Sequence, residues 1–572
     1  MAGGMVVADV GGRARDYNGK VTWYVILVAL IASSGGLLFG YDLGITGGVE
    51  SFPDFLAIFF PEVALAQAAD KNADPYCSYD SQKLSAFTSV LFLSGAFFSF
   101  FTGPVTRIGG RKLVMILGGA FFCIGAILCA FAQDLAMLII GRVCLGAGVG
   151  FANQAVPLYL SEIAPAHARG SLNVMFQMAT TIGIWVAQWI NYGTQKMHPH
   201  GWRLSVGLAF VPAVILFLGS IIIPDTPNSL VARGYVEQAR LTLERVRGTP
   251  DVEAEFADIV EANNNSKTVN KWAIFQKKYR PVLTGAVLIP FFQQFTGINT
   301  IMFYATQLFD VLGDGANAAL LNTAIIGAVN VGSTILAIVL VDRLGRKVLL
   351  VEGGIQMFIC FVVVAGVMGG SFNKVTGYIP QNSASTILAF ECLFTAGFAW
   401  SWGPLGWLVP SEFHNIETRG TGQAITVCVN FLCSFVVGQA YLTMLCRMEY
   451  GTYIFFAFWV FCMTIYVIFF LPETRGVPIE EMGILWRRHW FWSKVIMTPE
   501  ERAAFQKGDL LGAGVTTGDV TPAHVPRTTG SAKGVKGGVT GTTAGITPGA
   551  MVNSPASTSN TIVAGQSSNA KY

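Results

Sequence analysis

The sequence predicts an all-α membrane protein, with twelve spanning helices arranged as two six-helix halves around a central cavity. Three observations support this. Of 572 residues, 52% are hydrophobic and only 12% are charged, whereas soluble domains carry about 25% charged residues. Twelve segments reach the roughly 20 apolar residues that a helix needs to cross a bilayer. Short motifs of the first half return in the second at the same places relative to their spans.

The first twenty residues carry no signal-peptide pattern and form a cytosolic N-terminus, because apolar sequence begins only at Val21 and continues at spanning length. The first predicted span is Val21–Gly44, followed by a loop, residues 45–83, that reads as an outer lid. It holds Glu50, Asp54, Glu62, Asp70, Asp74 and Asp80 against Lys71 and Lys83, so six acids minus two bases gives −4. A second span, Leu84–Thr106, leads into Arg107, Arg111 and Lys112 with no acid nearby. Short basic loops stay cytosolic, so this loop is inside, the lid outside, and both termini cytosolic. Spans three to six fall at 113–132, 136–158, 172–193 and 204–223, completing a first half at 21–223.

Residues 224–280 are the longest polar stretch between spans, with helical character over 235–247 and 252–262, and read as intracellular helices joining the halves. Spans seven to twelve fall at 281–309, 318–341, 348–369, 385–409, 421–445 and 453–471, within a second half at 281–472. A cytosolic segment, 473–507, follows. The tail, 508–572, is rich in Gly, Thr, Ser and Ala with few large apolar residues, a composition of disorder.

The repeats are specific. Gly110-Arg111-Lys112 returns as Gly345-Arg346-Lys347. SEIAPAHARG (161–170) returns as SEFHNIETRG (411–420), with Glu and Arg seven apart in both. PDTPNSL (224–230) is echoed by PETRGVP (472–478). Two halves related by a parallel repeat are a transporter architecture, with the binding site at the midplane between them.

The seventh span holds Gln293, Gln294, Gly297 and Asn299 in the run FFQQFTGINTIMFY. Amides at membrane depth face other helices or a wet cavity, because an unpaired amide in hydrocarbon costs several kcal/mol. Ideal helical phase places Gln294 and Asn299 well apart, so a bend or unwinding at Gly297 is needed to bring both onto one cavity. Their neutral donors and acceptors suit a hydroxylated solute better than an ion. One amide is as readily helix glue as ligand contact; three around a glycine favour a site.

With these motifs in view, the chain resembles the sugar porter family of the major facilitator superfamily, and within it the plant and green-algal monosaccharide/H⁺ symporters. The likeness is carried by GGLLFGYDLGITGGV, ANQAVPLYLSEIAP, PFFQQFTGIN, VDRLGRK, GFAWSWGPLGWLVPSE and LPETRGVPIEEM, from about Gly35 to Met482. The superfamily pattern Asp-Arg-x-Gly-Arg is kept at Asp342–Arg346. In the first copy Thr106 replaces the acid and one residue is extra, which resembles the plant-type subgroup.

The resemblance implies roles residue by residue. Asp42 becomes the proton acceptor, paired with Arg142 of the fourth span. An intramembrane arginine needs a partner, while the residues alone leave Asp42 equally readable as a surface carboxylate. Sugar hydroxyls would meet Gln177, Gln293, Gln294, Asn299, Asn330 and Asn430, and Trp407 would cover an apolar sugar face with Phe39 and Leu43 opposite. Trp400 and Trp402 stay outside. The glycines and prolines around Pro404 suggest a bending tenth helix. Arg107, Arg111, Glu162, Arg169, Arg343, Arg346, Glu412 and Arg419 become salt bridges of a cytosolic gate, with positive-inside anchoring accounting for part of the arginine content.

Most of the ten cysteines lie within spans. Cys77 and Cys446 both meet the oxidising side, so a bridge is allowed, and the resemblance implies a lid tied to the second half.

The chain is thus expected to carry hexose and H⁺ through a lipid bilayer, most simply the plasma membrane. It would be driven by the proton gradient, with no cofactor, metal or catalytic residue, no nucleic acid and no obligate protein partner. Neither HExxH nor GxSxG occurs, and Gly19-Lys20 lacks phosphate-loop spacing. A facilitative hexose uniporter and a transporter-like sugar sensor are the alternatives.

Overall fold

A computed structural model describes residues 21–69, 77, 79–165, 168–267, 271–311, 315–371, 380–414, 418–475, 477 and 482–506. The cytosolic N-terminus expected from sequence, the tail from 508 and part of the lid lie outside the described residues.

The described residues form helices, and ten segments are long and apolar enough to cross a membrane. One of them, α4 (Gln82–Ala130), contains two spans and turns at Gly110, where φ is +76°. Another span, α6 (Arg169–Thr194), is long enough, at about 39 Å, yet too polar to qualify by hydropathy. Its Asn173, Gln177, Thr180, Thr181, Gln188 and Asn191 are all buried, so the polarity faces the protein interior. Dividing α4 and adding α6 gives the twelve spans of a major facilitator fold.

In the first half, α1 (Trp23–Val49) is followed by the short lid helices α2 (Pro53–Phe59) and α3 (Pro61–Ala69), then α4, α5 (Leu135–Ile163) and α6. The sixth span is split into α7 (Gly201–Gly207) and α8 (Phe210–Ile222). The polar segment supplies α9 (Pro227–Ala232), α10 (Val236–Arg247) and α11 (Glu253–Lys267). In the second half the seventh span is broken into α12 (Arg280–Gln294) and α13 (Ile298–Val311). It is followed by α14 (Gly315–Leu344), α15 (Arg346–Ser371), a tenth span in two pieces, α16 (Gln381–Trp400) and α17 (Trp402–Phe413), then α18 (Arg419–Met448) and α19 (Gly451–Phe470). Three short helices, α20 (Met482–Arg488), α21 (Trp492–Ile496) and α22 (Pro499–Gln506), close the described chain.

One expectation is corrected at once. α1 runs to Val49 rather than stopping at Gly44, and Glu50, counted above among the lid charges, is its C-cap with 0% exposure. Gly47 allows this, because a Cβ there would lie 2.0 Å from the Phe303 carbonyl oxygen of α13. A helix end that meets another helix so closely is buried, whatever the charge that follows.

The repeated motifs meet at one end of each half. In the first, Glu162 accepts from Arg111 at 2.9 Å and from Thr226 Oγ1 at 2.5 Å, while Asp225 accepts from the backbone N–H groups of Arg111 and Lys112 at 3.2 and 3.4 Å. In the second, Glu412 accepts from Arg346 at 2.7 Å and Thr474 Oγ1 at 2.8 Å, and Glu473 accepts from the N–H groups of Arg346 and Lys347 at 3.0 and 2.9 Å. Each capping acid satisfies donors that a turn at a positive-φ glycine, Gly110 or Gly345, leaves pointing outward. We call this the motif end; the opposite one, under α2 and α3, is the lid end.

Candidate functional site

The seventh span is built as its sequence predicts. Gly297, with φ +81°, lies three residues after the end of α12 and immediately before the start of α13, in a backbone region that an L side chain enters only at a cost of about 1–2 kcal/mol. The break brings Asn299 Nδ2 to 2.5 Å from Gln294 Oε1. It also leaves Gln293 facing the tenth span, where its Nε2 donates to the carbonyls of Trp402 and Gly403 at 3.0 and 3.1 Å. Asn430 of α18 donates to Gln293 Oε1 at 2.8 Å. Trp402, set outside the site from sequence, thus enters it through its backbone, while its indole N–H is spent on the Leu350 carbonyl at 3.0 Å.

The tenth span also breaks, three residues before Pro404. Ser401 has φ −123° and ψ −92°, and Pro404 lies in the first turn of α17, where it needs no N–H partner. Gln177 reaches this place from the first half, its Nε2 lying 3.4 Å from where a Cβ on Gly403 would stand. Trp407 packs edge-on against Phe176 of α6 at 5.8 Å, and Phe39 of α1 does the same against Phe431 of α18 at 6.2 Å. Leu43, one turn farther along α1, is buried. Asn330 of α14 and Asn430 each keep a buried Oδ1 with no hydrogen-bond partner, acceptors suited to a ligand hydroxyl.

Contacts between the halves shut both ends. At the motif end Ser171 donates to Asp342 at 2.9 Å and Asn173 to Ser411 at 3.0 Å. At the lid end Ser89 donates to Gln439 at 2.6 Å and Gln307 to the Gly47 carbonyl at 3.1 Å. A disulfide joins Cys77 to Cys446. The expected gate arginines divide: Arg111 and Arg346 pair with Glu162 and Glu412, each inside its own half. Arg107 and Arg343 are exposed and make no ion pair among the described residues, so the structure does not bring them into the gate expected from sequence. The side chains of Arg169 and Arg419 lie outside the described residues. The acid that actually bridges the halves, Asp342, was legible only as an asymmetry: the second motif copy keeps an acid where the first has Thr106.

Asp42 and Arg142 form a buried ion pair, Arg142 NH1 to Asp42 Oδ1 at 2.6 Å, with side-chain exposures of 5% and 1%. Arg142 NH2 donates to Thr46 Oγ1 at 2.9 Å, and the guanidinium stands 4.0 Å over the Phe87 ring. The lid covers this pair through aromatic contacts, Phe55 of α2 packing on Phe87 at 5.3 Å and on Trp202 at 5.6 Å.

The chain's relatives fit this geometry. The sequence model of the family described as sugar (and other) transporter matches residues 28–486. The chain belongs to the sugar transporter family. It is 54% identical over 504 residues to sugar transport protein 10 of Arabidopsis thaliana, covering 88% of this chain and 98% of that one. It is 53% identical over 502 residues to H(+)/hexose cotransporter 2 of Parachlorella kessleri, covering 86% and 93%. Among solved structures, the proton:xylose symporter XylE bound to 6-bromo-6-deoxy-D-glucose superposes with a TM-score of 0.71 at 26% identity, over 82% of this chain and 100% of the other.

Proposed function

We propose that this transporter carries a hexose, glucose-like in stereochemistry, together with H⁺ by alternating access. It works in the plasma membrane, with the lid outside and the motif end and both termini in the cytosol. The observation that carries the proposal is the buried Asp42–Arg142 pair beneath the lid, set in a chain whose midplane amides gather at two helix breaks.

An isolated charge in this place is costly, so each partner holds the other. A proton from outside neutralises Asp42, frees Arg142, and lets α1 and α5 move. In that state the amides of Gln177, Gln293, Gln294 and Asn299, with the open acceptors of Asn330 and Asn430, hold the sugar hydroxyls. Trp407 supplies an apolar face, with Phe39 and Leu43 across from it. Release of the motif-end contacts then exposes sugar and proton to the cytosol, and the ion pair forms again. The driving force is the proton gradient, and no covalent chemistry is involved.

The test is labelled glucose uptake into cells lacking hexose transport, at about pH 5 and about pH 8, with and without a protonophore. Acid-stimulated, protonophore-sensitive accumulation that Asp42→Asn abolishes is the expected result. Uptake that only equilibrates and ignores pH in both proteins makes this chain a uniporter. No uptake in protein shown to reach the surface makes it a sensor.

A further inference from the structure

Glu50 is a carboxyl with 0% exposure at the lid end of α1, and no cation pairs with it among the described residues. Its oxygens are held by the Thr88 hydroxyl at the start of α4 and by Gln307 Nε2 of α13, the latter at 3.3 Å. The same Gln307 nitrogen donates to the Gly47 carbonyl at 3.1 Å. Glu50 is therefore part of the contact that closes the lid end between the halves.

It also stands in line with the proton site. Asp42, Thr46 and Glu50 follow one another at four-residue intervals, a row along one side of α1. Arg142 holds the first two rungs, Asp42 at 2.6 Å and Thr46 at 2.9 Å, while its Nε is buried without a partner. The third rung is about 6 Å further along the helix. Phe87, the ring under the guanidinium, precedes Thr88, the residue that holds Glu50. The remaining titratable groups here are Cys129 of α4, whose thiol donates to the Leu138 carbonyl at 3.7 Å, and three tyrosines: Tyr41 of α1 donating to the Ser205 carbonyl at 2.7 Å, Tyr304 of α13 donating to the Gly438 carbonyl at 3.1 Å, and Tyr441 of α18 stacked on Tyr304. Lys83, nearer the start of α4, is exposed and paired with Glu62 at 2.8 Å.

One guanidinium thus faces two buried carboxyls, and the three groups are neutral together only when one carboxyl carries a proton. We propose that Asp42 and Glu50 alternate as the counter-ion of Arg142, and that this exchange opens and shuts the lid end. The proposal rests on the transport cycle above. With the lid end shut, Arg142 is on Asp42 and a protonated Glu50 is on Gln307 and Thr88. When Asp42 takes a proton, the guanidinium moves one rung to Glu50, whose own proton leaves to the outer medium. Gln307 loses its carboxyl partner and keeps only the Gly47 carbonyl, and α13 swings off α1. One proton is bound and one released, so opening consumes none; closing is the reverse exchange, Glu50 taking a proton from the outer medium while Asp42 gives its own to the sugar cavity, from which it leaves to the cytosol with the sugar.

That balance gives a signature that a single acid does not. Hydrogen–deuterium exchange of residues 298–311 in full-length protein in nanodiscs, corrected for intrinsic rates, reads the opening. In the wild type it changes by less than roughly twofold between about pH 5 and pH 8. In Glu50→Gln opening requires net proton binding at Asp42, so exchange rises on acidification, by up to about tenfold per pH unit. In Asp42→Asn closing requires protonation of Glu50, so exchange falls on acidification with the same limiting slope. Glu50→Asp restores the flat response, and if Glu50→Gln does not fold, the Asp42→Asn slope decides. A wild-type response shared by Glu50→Gln, or slopes of one sign in the two variants, overturns the exchange. Uptake by the wild type is measured alongside: its loss of proton coupling removes the symport reading, whereas the exchange pattern judges Glu50 separately.

Discussion

Asn430 Nδ2 lies 2.8 Å from Gln293 Oε1, while Gln293 spends its own nitrogen on the carbonyls of Trp402 and Gly403. This one amide ties three spans, α12, α17 and α18, at the depth where two of them are broken. A group so committed is as much a fastener as a ligand contact. Asn330, with a buried Oδ1 that nothing satisfies, is the opposite case.

The two amides should therefore fail differently. Gln293→Ala strands the Asn430 donor and frees two carbonyls, each worth about 1–3 kcal/mol when left buried and unpaired. Both sugar affinity and the thermal midpoint should fall. Asn330→Ala removes an acceptor that has no protein partner, so KM for glucose should rise by about tenfold, the worth of one hydrogen bond to ligand, with the midpoint unchanged. Radiolabel uptake beside a thermal-shift assay on purified protein distinguishes them. Equal loss of stability in both would mean that Asn330 is structural.

Gly406 sets the position of Gln293. A Cβ there would stand 2.2 Å from Gln293 Nε2 and 2.5 Å from its Cδ. The amide is pinned by three hydrogen bonds, so Gly406→Ala must move it and should raise KM several-fold at normal surface expression. Gly366 of α15 has open space around its Cα, and Gly366→Ala is the matched control, expected to leave KM unchanged. A Gly406→Ala protein with wild-type KM would show that Gln293 is not held where sugar binds.

Much of this was legible in the sequence because membrane depth makes polar residues conspicuous. The break at Gly297 followed from three amides that a straight helix could not bring together, and the motif repeats named the groups that meet at the motif end. Glu50 was misplaced for the same reason in reverse: an acid after a span reads as a loop charge unless a neighbouring helix covers it, and Gln307 of α13 lies 257 positions away. Asp225 and Glu473 stood in recognised repeats, yet their capping of Arg111 and Arg346 depends on the turns at Gly110 and Gly345, which are tertiary facts.

Asp342 reaches across the halves to Ser171 at 2.9 Å and is also held by Arg346 at 3.2 Å within its own half. Asp342→Asn should loosen closure at the motif end, so exchange protection of the adjoining ends of α6 and α14 drops and glucose efflux speeds up. Ser171→Ala should produce part of the same effect, and the two should be non-additive in a double-mutant cycle. Arg107→Ala, at an exposed position, should leave uptake within about twofold of wild type. Independent, additive effects of Asp342→Asn and Ser171→Ala would remove this contact from the gate.

The lid is fastened along one face of α18, where Gln439, Thr443 and Cys446 recur at helical spacing. Gln439 donates to the Gln82 side chain at 2.9 Å and to its carbonyl at 3.3 Å, Thr443 accepts from Gln82 at 2.9 Å and donates to Asp80 at 2.7 Å, and Cys446 is bonded to Cys77. These hydrogen bonds remain when the disulfide is removed, so Cys446→Ser should still fold, with a stability loss of about 2–5 kcal/mol. What changes is how tightly Phe55 is pressed on Phe87 and how well that ring keeps water from Arg142 and Asp42. Water there solvates the separated charges and weakens the pair that the proton must break. The pH profile of uptake in Cys446→Ser should therefore shift, and a membrane-impermeant reductant should produce the same shift in the wild type and none in the variant. An unaltered profile with a lowered thermal midpoint would make the bridge a structural tie with no part in shielding the proton site.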